Sequence, residues 1–311
     1  MTRPTPSARP DVHADITTAI LADLERGVRP WARAWTGAGA GAGAAQRPRR
    51  YDGQPYHGIN VLPLWASAAD RGFERSTWMT FRQALALGGC VRRGETGTRI
   101  VFAGRREGPA SPSNDAAASD DDRPVTDARG AVFLKRYTVF NLEQIDGLEP
   151  RYPAPEPFPE PMPDARAEHF LCAVGADIRH GGDTACYLPR EDRVRMPHLA
   201  RFETLQAYYA VLAHELIHWT GHSSRLDRLG GLVRFGDSAY AREELVAELG
   251  AAFLCADLGL SLQPRRDHAA YLASWLKVLG DDKRFIVAAA AHAERAAALL
   301  SALAGTLDPP G

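Results

Sequence analysis

The stretch that decides the reading of this chain is FETLQAYYAVLAHELIHWTG, residues 202–221, and within it His214-Glu215-Leu216-Ile217-His218. Phe202 to Ala213 has helical periodicity, and nothing breaks it before Gly221, so the motif is expected on a helix. Positions i and i+4 share a helix face, which lets both imidazoles reach one ion. Glu215 then lies beside that ion without ligating it, placed to take a proton from water. Ala213, Leu216 and Ile217 are apolar, so the helix is expected to be buried, and buried histidines need a reason. A motif this short also arises by accident on ordinary amphipathic helices.

The following helix argues against accident. Glu243 to Leu258 (EELVAELGAAFLCADL) is amphipathic and puts Glu244 and Glu248 on one face. A zinc peptidase site with two histidines needs a third protein ligand and leaves a fourth position open. Each ligating histidine also needs an acceptor on its other ring nitrogen. A Glu-xxx-Glu pair can supply both, and twin buried carboxylates without a metal would be costly. Glu243 is rotated by about 100° from Glu244, so the two cannot both face the metal well. His222 stands four residues past His218, but Gly221 is expected to end the helix first. Its spacing also misses the longer HExxHxxGxxH pattern, which leaves it a supporting or substrate-facing role. Donor softness favours Zn2+, with Mn2+ as the alternative. His180, His198, His268 and His292 fall in no ligand pattern.

Upstream, Ala185-Cys-Tyr-Leu and Asp192-Arg-Val-Arg-Met-Pro precede the metal helix. An edge strand there would align an extended peptide by strand addition. Tyr187 could donate to an oxyanion, although a core tyrosine explains it equally well.

A length of 311 residues accommodates two domains. No apolar run looks long enough to span a membrane, and MTRPTPSARPDVHADI lacks the apolar stretch of a secretory signal. Cys90, Cys172, Cys186 and Cys255 are scattered, which argues against a disulfide framework or Cys-ligated zinc and fits a reducing cytoplasm. Residues 1–106 carry 16 Arg and Lys against 8 Asp and Glu, a local net charge of +8, so the remainder sums to −9 for the total of −1. A basic first half points to a polyanion; an Arg-rich composition bias would look the same.

Helices are expected over about 12–26 (capped by Asp11), 60–69, 80–87 and 164–174, and strands over 99–103, 132–140, 176–179 and 185–188. The Gly/Ala run 37–45 and the polar segment 107–129 read as loops of a domain spanning 1–148, the second lying between paired strands. Seven prolines in 149–163 mark a semi-rigid connector to a domain spanning 164–311. In the first domain aromatics are interleaved with cations: Trp31, Arg33, Trp35, then Arg50, Tyr51, Tyr56 and Asn60, then Arg92, Arg93, Lys135 and Arg136. That mixture suits single-stranded nucleic acid, where bases stack and Arg tracks phosphate. Taken singly, most of the tryptophans are better read as core.

The segments PW…W, YxGIN, WMTFRQA, GxVRRGExGT, VFNLEQIDGL, HELIHWTGH and AREELVAELGAAFL, in order, together resemble the ArdC family of plasmid antirestriction proteins, whose N-terminal domain is shared with TraC-type primases. The resemblance runs from about residue 11 to 303. It implies an α+β protein with a small α+β domain that binds single-stranded DNA and a mainly helical, zincin-like metallopeptidase domain of the gluzincin type. It also implies protection of incoming conjugative DNA against host restriction, with a restriction-system subunit as a candidate protein partner. On this chain the family motif falls on His214, Glu215 and His218, and its glutamate helix on Glu244 and Glu248. Similar zinc peptidases place the earlier carboxylate on the metal, which makes Glu244 the third ligand and Glu248 the carboxylate behind a histidine. The competing reading is a DNA-coating protein whose metal site is structural or vestigial. The runs 37–45 and 107–129 depart from the family, both within loops of the DNA domain.

Overall fold

The computed structural model describes residues 12–26, 31, 46–105, 132–152, 163–229, 238–260, 268–282 and 284–305. The first half contains α1 (Val12–Glu25), β1 (Arg49–Arg50), α2 (Val61–Arg71), β2 (Thr77–Thr80), α3 (Phe81–Ala86), β3 (Cys90–Val91), β4 (Thr98–Arg105), β5 (Val132–Asn141) and β6 (Ile145–Asp146). Four strands form one sheet in the order β1-β2-β5-β4, and β3 pairs with β6. Strands β4 and β5 run antiparallel with Ile100 opposite Tyr137 and Phe102 opposite Lys135. Leu64 of α2 packs with Trp78, Ile100 and Val139 on one sheet face. Thr80 starts α3 through a capping box with Gln83. The segments 37–45, 107–129 and 153–162 lie outside the described residues, as do Asp11, Arg33 and Trp35.

The second half is α4 (Pro163–Ala173), β7 (Asp177–His180), β8 (Cys186–Leu188), β9 (Arg193–Met196), α5 (Leu205–Thr220), α6 (Ser238–Leu258), α7 (His268–Asp281) and α8 (Phe285–Ala304). Its sheet runs β7-β9-β8, so the strand 193–196, absent from the sequence expectation, is the central one. Helix and strand thus occur in both halves, intermixed in the first and with the strands grouped between α4 and α5 in the second, an α+β arrangement. Helix α8 has the length and composition of a membrane span, at a mean hydropathy of 1.4, contrary to the expectation that no such run exists. It is a core helix here: Ile286, Ala289, Ala290, Ala293 and Ala297 are buried, and Glu294 is ion-paired.

One hydrophobic core spans both halves. Ile20, Leu24, Trp31, Ile59, Val61, Leu62 and Trp65 join the same cluster as α5, α6, α7 and α8. Trp31 meets Trp275 edge-on, with ring centroids 5.9 Å apart. A buried guanidinium reinforces the seam. Arg47 holds Asp257 at the end of α6 through two bonds of 2.7 and 3.0 Å and Glu294 of α8 through a third of 2.9 Å. Its charge also lies 4.6 Å over the Phe253 ring. Glu294 in turn accepts from the Gly58 amide at 3.0 Å and bonds His57 Nδ1 at 2.9 Å.

Arg47→Ala should therefore destabilise the whole chain. Because Asp257 and Glu294 remain partly exposed, the loss should be roughly 2–3 kcal/mol, below that for removing one partner of a fully buried pair. Urea unfolding followed by tryptophan fluorescence measures it, and a single unchanged transition would show that the seam contributes little.

Candidate metal centre

Helix α5 starts at Thr204, whose hydroxyl accepts from the Ala207 amide at 3.0 Å, and ends at Thr220. Gly221 follows with ordinary right-handed geometry, φ −78°. Its value is space: a Cβ there would come within 3.0 Å of the His218 carbonyl oxygen and 3.1 Å of Arg228 Nη2. Gly250 of α6 has the same character. A Cβ on it would fall 2.8–2.9 Å from three carbons of Ile217, so α5 and α6 make their close approach inside the histidine motif.

That approach brings the donors together. His214 Nε2 and His218 Nε2 are 3.2 Å apart. The Glu244 carboxylate straddles them, with Oε2 3.5 Å from His214 Nε2 and Oε1 3.5 Å from His218 Nε2. A tetrahedron built on bonds of about 2.0–2.2 Å has edges of about 3.3–3.6 Å, close to the separation of the two imidazole nitrogens, and either Glu244 oxygen is near enough to complete a face. Among the described residues, these three form the group whose metal-competent atoms all lie within 4.8 Å of one another. Glu215, Glu244 and Glu248 are 3%, 6% and 6% exposed. Buried carboxylates are costly unless paired, and a cation between the imidazoles and Glu244 would supply such pairing. Burial opposes charging His218, but Glu243 and Glu244 outweigh it and push the imidazole up to about 10. Burial alone would raise the Glu244 carboxyl, yet His214 and His218 hold it well below its ordinary range. A ligating imidazole must present an unprotonated nitrogen, so metal uptake should weaken as pH falls.

A carboxylate stands behind each histidine. Glu248 Oε1 is 3.5 Å from His214 Nδ1, within ion-pair reach although the two do not form a hydrogen bond. Glu243 Oε1 is 3.4 Å from His218 Nδ1 and is itself paired with Arg228 at 2.9 Å. The sequence reading considered Glu243 only as a rival ligand and passed over Arg228. The Glu243-Glu244 doublet was the available signal: 100° apart on one helix, one side chain faces the ion side and the other the back of an imidazole.

His222 bonds Ser224 at 2.8 Å, just beyond the helix end, and is not in the donor group. The Tyr187 hydroxyl donates to Asp192 at 2.8 Å, and Arg225 pairs with the same carboxylate. This half-buried tyrosine is thus already committed in the structure. Its strand β8 lies at an edge of its sheet and against α5.

The expected DNA-binding residues divide. Trp31 is 0% exposed and is corrected to a core residue. Tyr56 packs between two clusters, and burial pushes its phenol up to about 12. Asn60 is spent on the backbone: its amide donates to the Val101 carbonyl at 2.7 Å and accepts from the Val101 amide at 2.9 Å, like one rung of a strand. Tyr51 packs beside the Met79 cluster, and its carbonyl accepts from Tyr152. Arg50, Arg92 and Arg93 are exposed, with Arg50 paired to Asp52 and Arg92 to Glu95 and Asp146, while Lys135 and Arg136 are half-buried on β5. The reading also missed Phe102, 53% exposed on β4, set edge-on to Tyr137 and opposite Lys135.

Comparison with known proteins covers the whole arrangement. The family model for the N-terminal domain of anti-restriction factor ArdC matches residues 10–140, and that for a zincin-like metallopeptidase, MPTase-PolyVal, matches residues 165–292. The uncharacterized protein y4eC of Sinorhizobium fredii (strain NBRC 101917 / NGR234) is 41% identical over 294 residues, 94% of this chain and 92% of its own. DNA primase TraC of Escherichia coli is 39% identical over 295 residues, which is 91% of this chain and 19% of TraC. The crystal structure of the antirestriction ArdC protein from plasmid R388 in metal-free form is 41% identical, with a TM-score of 0.75 over 95% of this chain and 98% of that one. Its Mn(II)-bound form is 40% identical, with a TM-score of 0.75 over 96% and 100%.

The geometry ranks the acidic side chains. Glu244→Ala should empty the site, whereas Glu248→Ala should weaken affinity about 10–100-fold. Metal content after dialysis against a mild chelator should fall in the order wild type, Glu248→Ala, Glu244→Ala. The reverse order of the two variants would put the ligand one turn later on α6.

Proposed function

The chain belongs to the ArdC family of antirestriction proteins, and from that premise we propose that it binds single-stranded DNA and carries a zinc metallopeptidase centre protecting incoming plasmid DNA. The observation that carries this reading is the convergence of His214, His218 and Glu244, with the buried Glu215 next to His214 in sequence. These three residues would hold Zn2+, or Mn2+ as in the R388 relative. When bound, the metal supplies Lewis acidity that makes a water more acidic and polarises a peptide carbonyl. The chain's own contribution is proton handling and alignment. The Glu215 carboxylate takes a proton from the attacking water and passes it to the leaving amine. The edge of β8 offers backbone groups to an extended peptide beside α5. A restriction-system subunit is the candidate substrate, and the cytoplasm the compartment in which it would be met.

DNA binding falls to the basic first half. Arg50, Arg92, Arg93, Lys135 and Arg136 would contact phosphate, and Phe102 would stack a base beside Lys135. The burial of His214 and Glu215 favours a second reading, in which the protein shields DNA and the metal site is structural. Glu215→Gln separates the two. It should keep its metal and its DNA affinity yet lose peptidase turnover by orders of magnitude. Protection from restriction that persists in this variant supports the shield, and protection lost with turnover supports proteolysis.

For DNA, the full chain should prefer single strands over duplex, with affinity dropping steeply as salt rises. Phe102→Ala should weaken binding roughly 5–100-fold, the range for one stacked base. Fluorescence anisotropy with a labelled oligonucleotide measures both, and an unaffected Phe102→Ala would move the stacking platform elsewhere.

A further inference from the structure

His218 presents its two ring nitrogens to different neighbours. Nε2 faces His214 Nε2 at 3.2 Å and Glu244 at 3.5 Å, while Nδ1 faces Glu243 at 3.4 Å. To ligate through Nε2, the ring must carry its proton on Nδ1 and donate it to Glu243. Glu243 is adjacent to Glu244 in sequence, so a carboxylate free to swing would leave His218 or compete for the ion. Arg228 prevents that swing. Its Nη2 donates to Glu243 Oε1 at 2.9 Å and its Nε to Oε2 at 3.3 Å, so both oxygens are gripped in the planar fork that Arg alone provides.

The fork is itself anchored. Arg228 Nη1 donates to Thr220 Oγ1 at 2.9 Å and Nη2 to the Ile217 carbonyl at 2.7 Å. Its side chain is 5% exposed, and it lies at the C-terminal end of α5, where a cation also complements the helix dipole. Gly221 leaves the room for it, since a Cβ at that position would stand 3.1 Å from Arg228 Nη2. A surface loop thus delivers a buried arginine whose polar atoms are divided between the metal helix and the carboxylate behind its second histidine.

We propose that Arg228 is a positioning residue of the metal centre, acting through Glu243 to fix the ring orientation and tautomer of His218. The inference rests on the metal reading of His214, His218 and Glu244, and deepens it. The test measures Zn2+ affinity of the full chain by competition with a chromophoric chelator, together with the 15N signals of His218 in the Zn2+-loaded protein. Arg228→Ala and Glu243→Ala should each weaken affinity about 10–100-fold and shift the His218 Nδ1 signal. Because both act on one ring, the double variant should be no weaker than the weaker single variant. Arg228→Lys, with charge but no fork, should fall between wild type and Arg228→Ala.

Unchanged affinity in Arg228→Ala, or losses that add in the double variant, would overturn the proposal and reduce Arg228 to a helix cap. Should Arg228→Ala not fold, Glu243→Gln decides, since it leaves the Arg228 bonds to Ile217 and Thr220 in place. An unmoved His218 signal and wild-type affinity there would equally overturn it. Wild-type protein that takes up no Zn2+ would sink the metal assignment itself, a failure distinct from wild type and Arg228→Ala binding alike.

Discussion

The metal-binding half depends on how closely α5 and α6 can approach. Gly250 lets the Ile217 side chain lie against the α6 backbone, and the same contact fixes the rotation of α6 about its axis. With that rotation set, Glu244 faces the imidazoles and Glu248, one turn on, reaches the back of His214. A larger side chain at 250 would widen the gap in the one place where several polar groups are arranged to tenths of an ångström. Apolar packing thus sets the polar geometry: Leu245, Leu249 and Phe253 on α6 and Leu216 on α5 are fully buried around the same seam.

Electrostatics then constrains what can occupy the gap. Glu243, Glu244 and Glu248 converge on two histidines, and Arg228 brings a cation into that cluster. Arg228 pairs with Glu243 on the far side of His218, while Glu244 and Glu248 stand on either side of the His214 ring. Burial opposes a charged His218, and the adjacent Glu243 and Glu244 favour it more strongly.

Periodicity made much of this visible in advance. The i,i+4 histidines and the Glu-xxx-Glu pair read directly as two facing helix stripes, and the helices 205–220 and 238–258 carry them. Three features escaped, each for a physical reason. Arg228 sits in a loop, where no repeat says what a side chain will reach. The strand 193–196 is short and half charged, so its central place in the sheet depends on neighbours rather than on its own pattern. In the first half, aromatic residues beside arginines looked like a nucleic-acid surface, but composition does not distinguish a ring facing solvent from one facing the core. Trp31 and Tyr56 went inward, while Phe102, in a run read only as a strand, faces outward.

The single core joining the halves bears on how such a protein can be inherited. A seam containing Trp31, Trp275 and the buried Arg47 would leave apolar surface and stranded charge on either piece if the pieces parted. Recombination that cut the chain in the middle would yield two fragments poorly suited to survive alone. Transfer of the whole length would not. The match to TraC runs over 295 residues, across both halves, inside a protein of which it is 19%. The two-part body has the build of a single unit, its interior complete only when both halves are present.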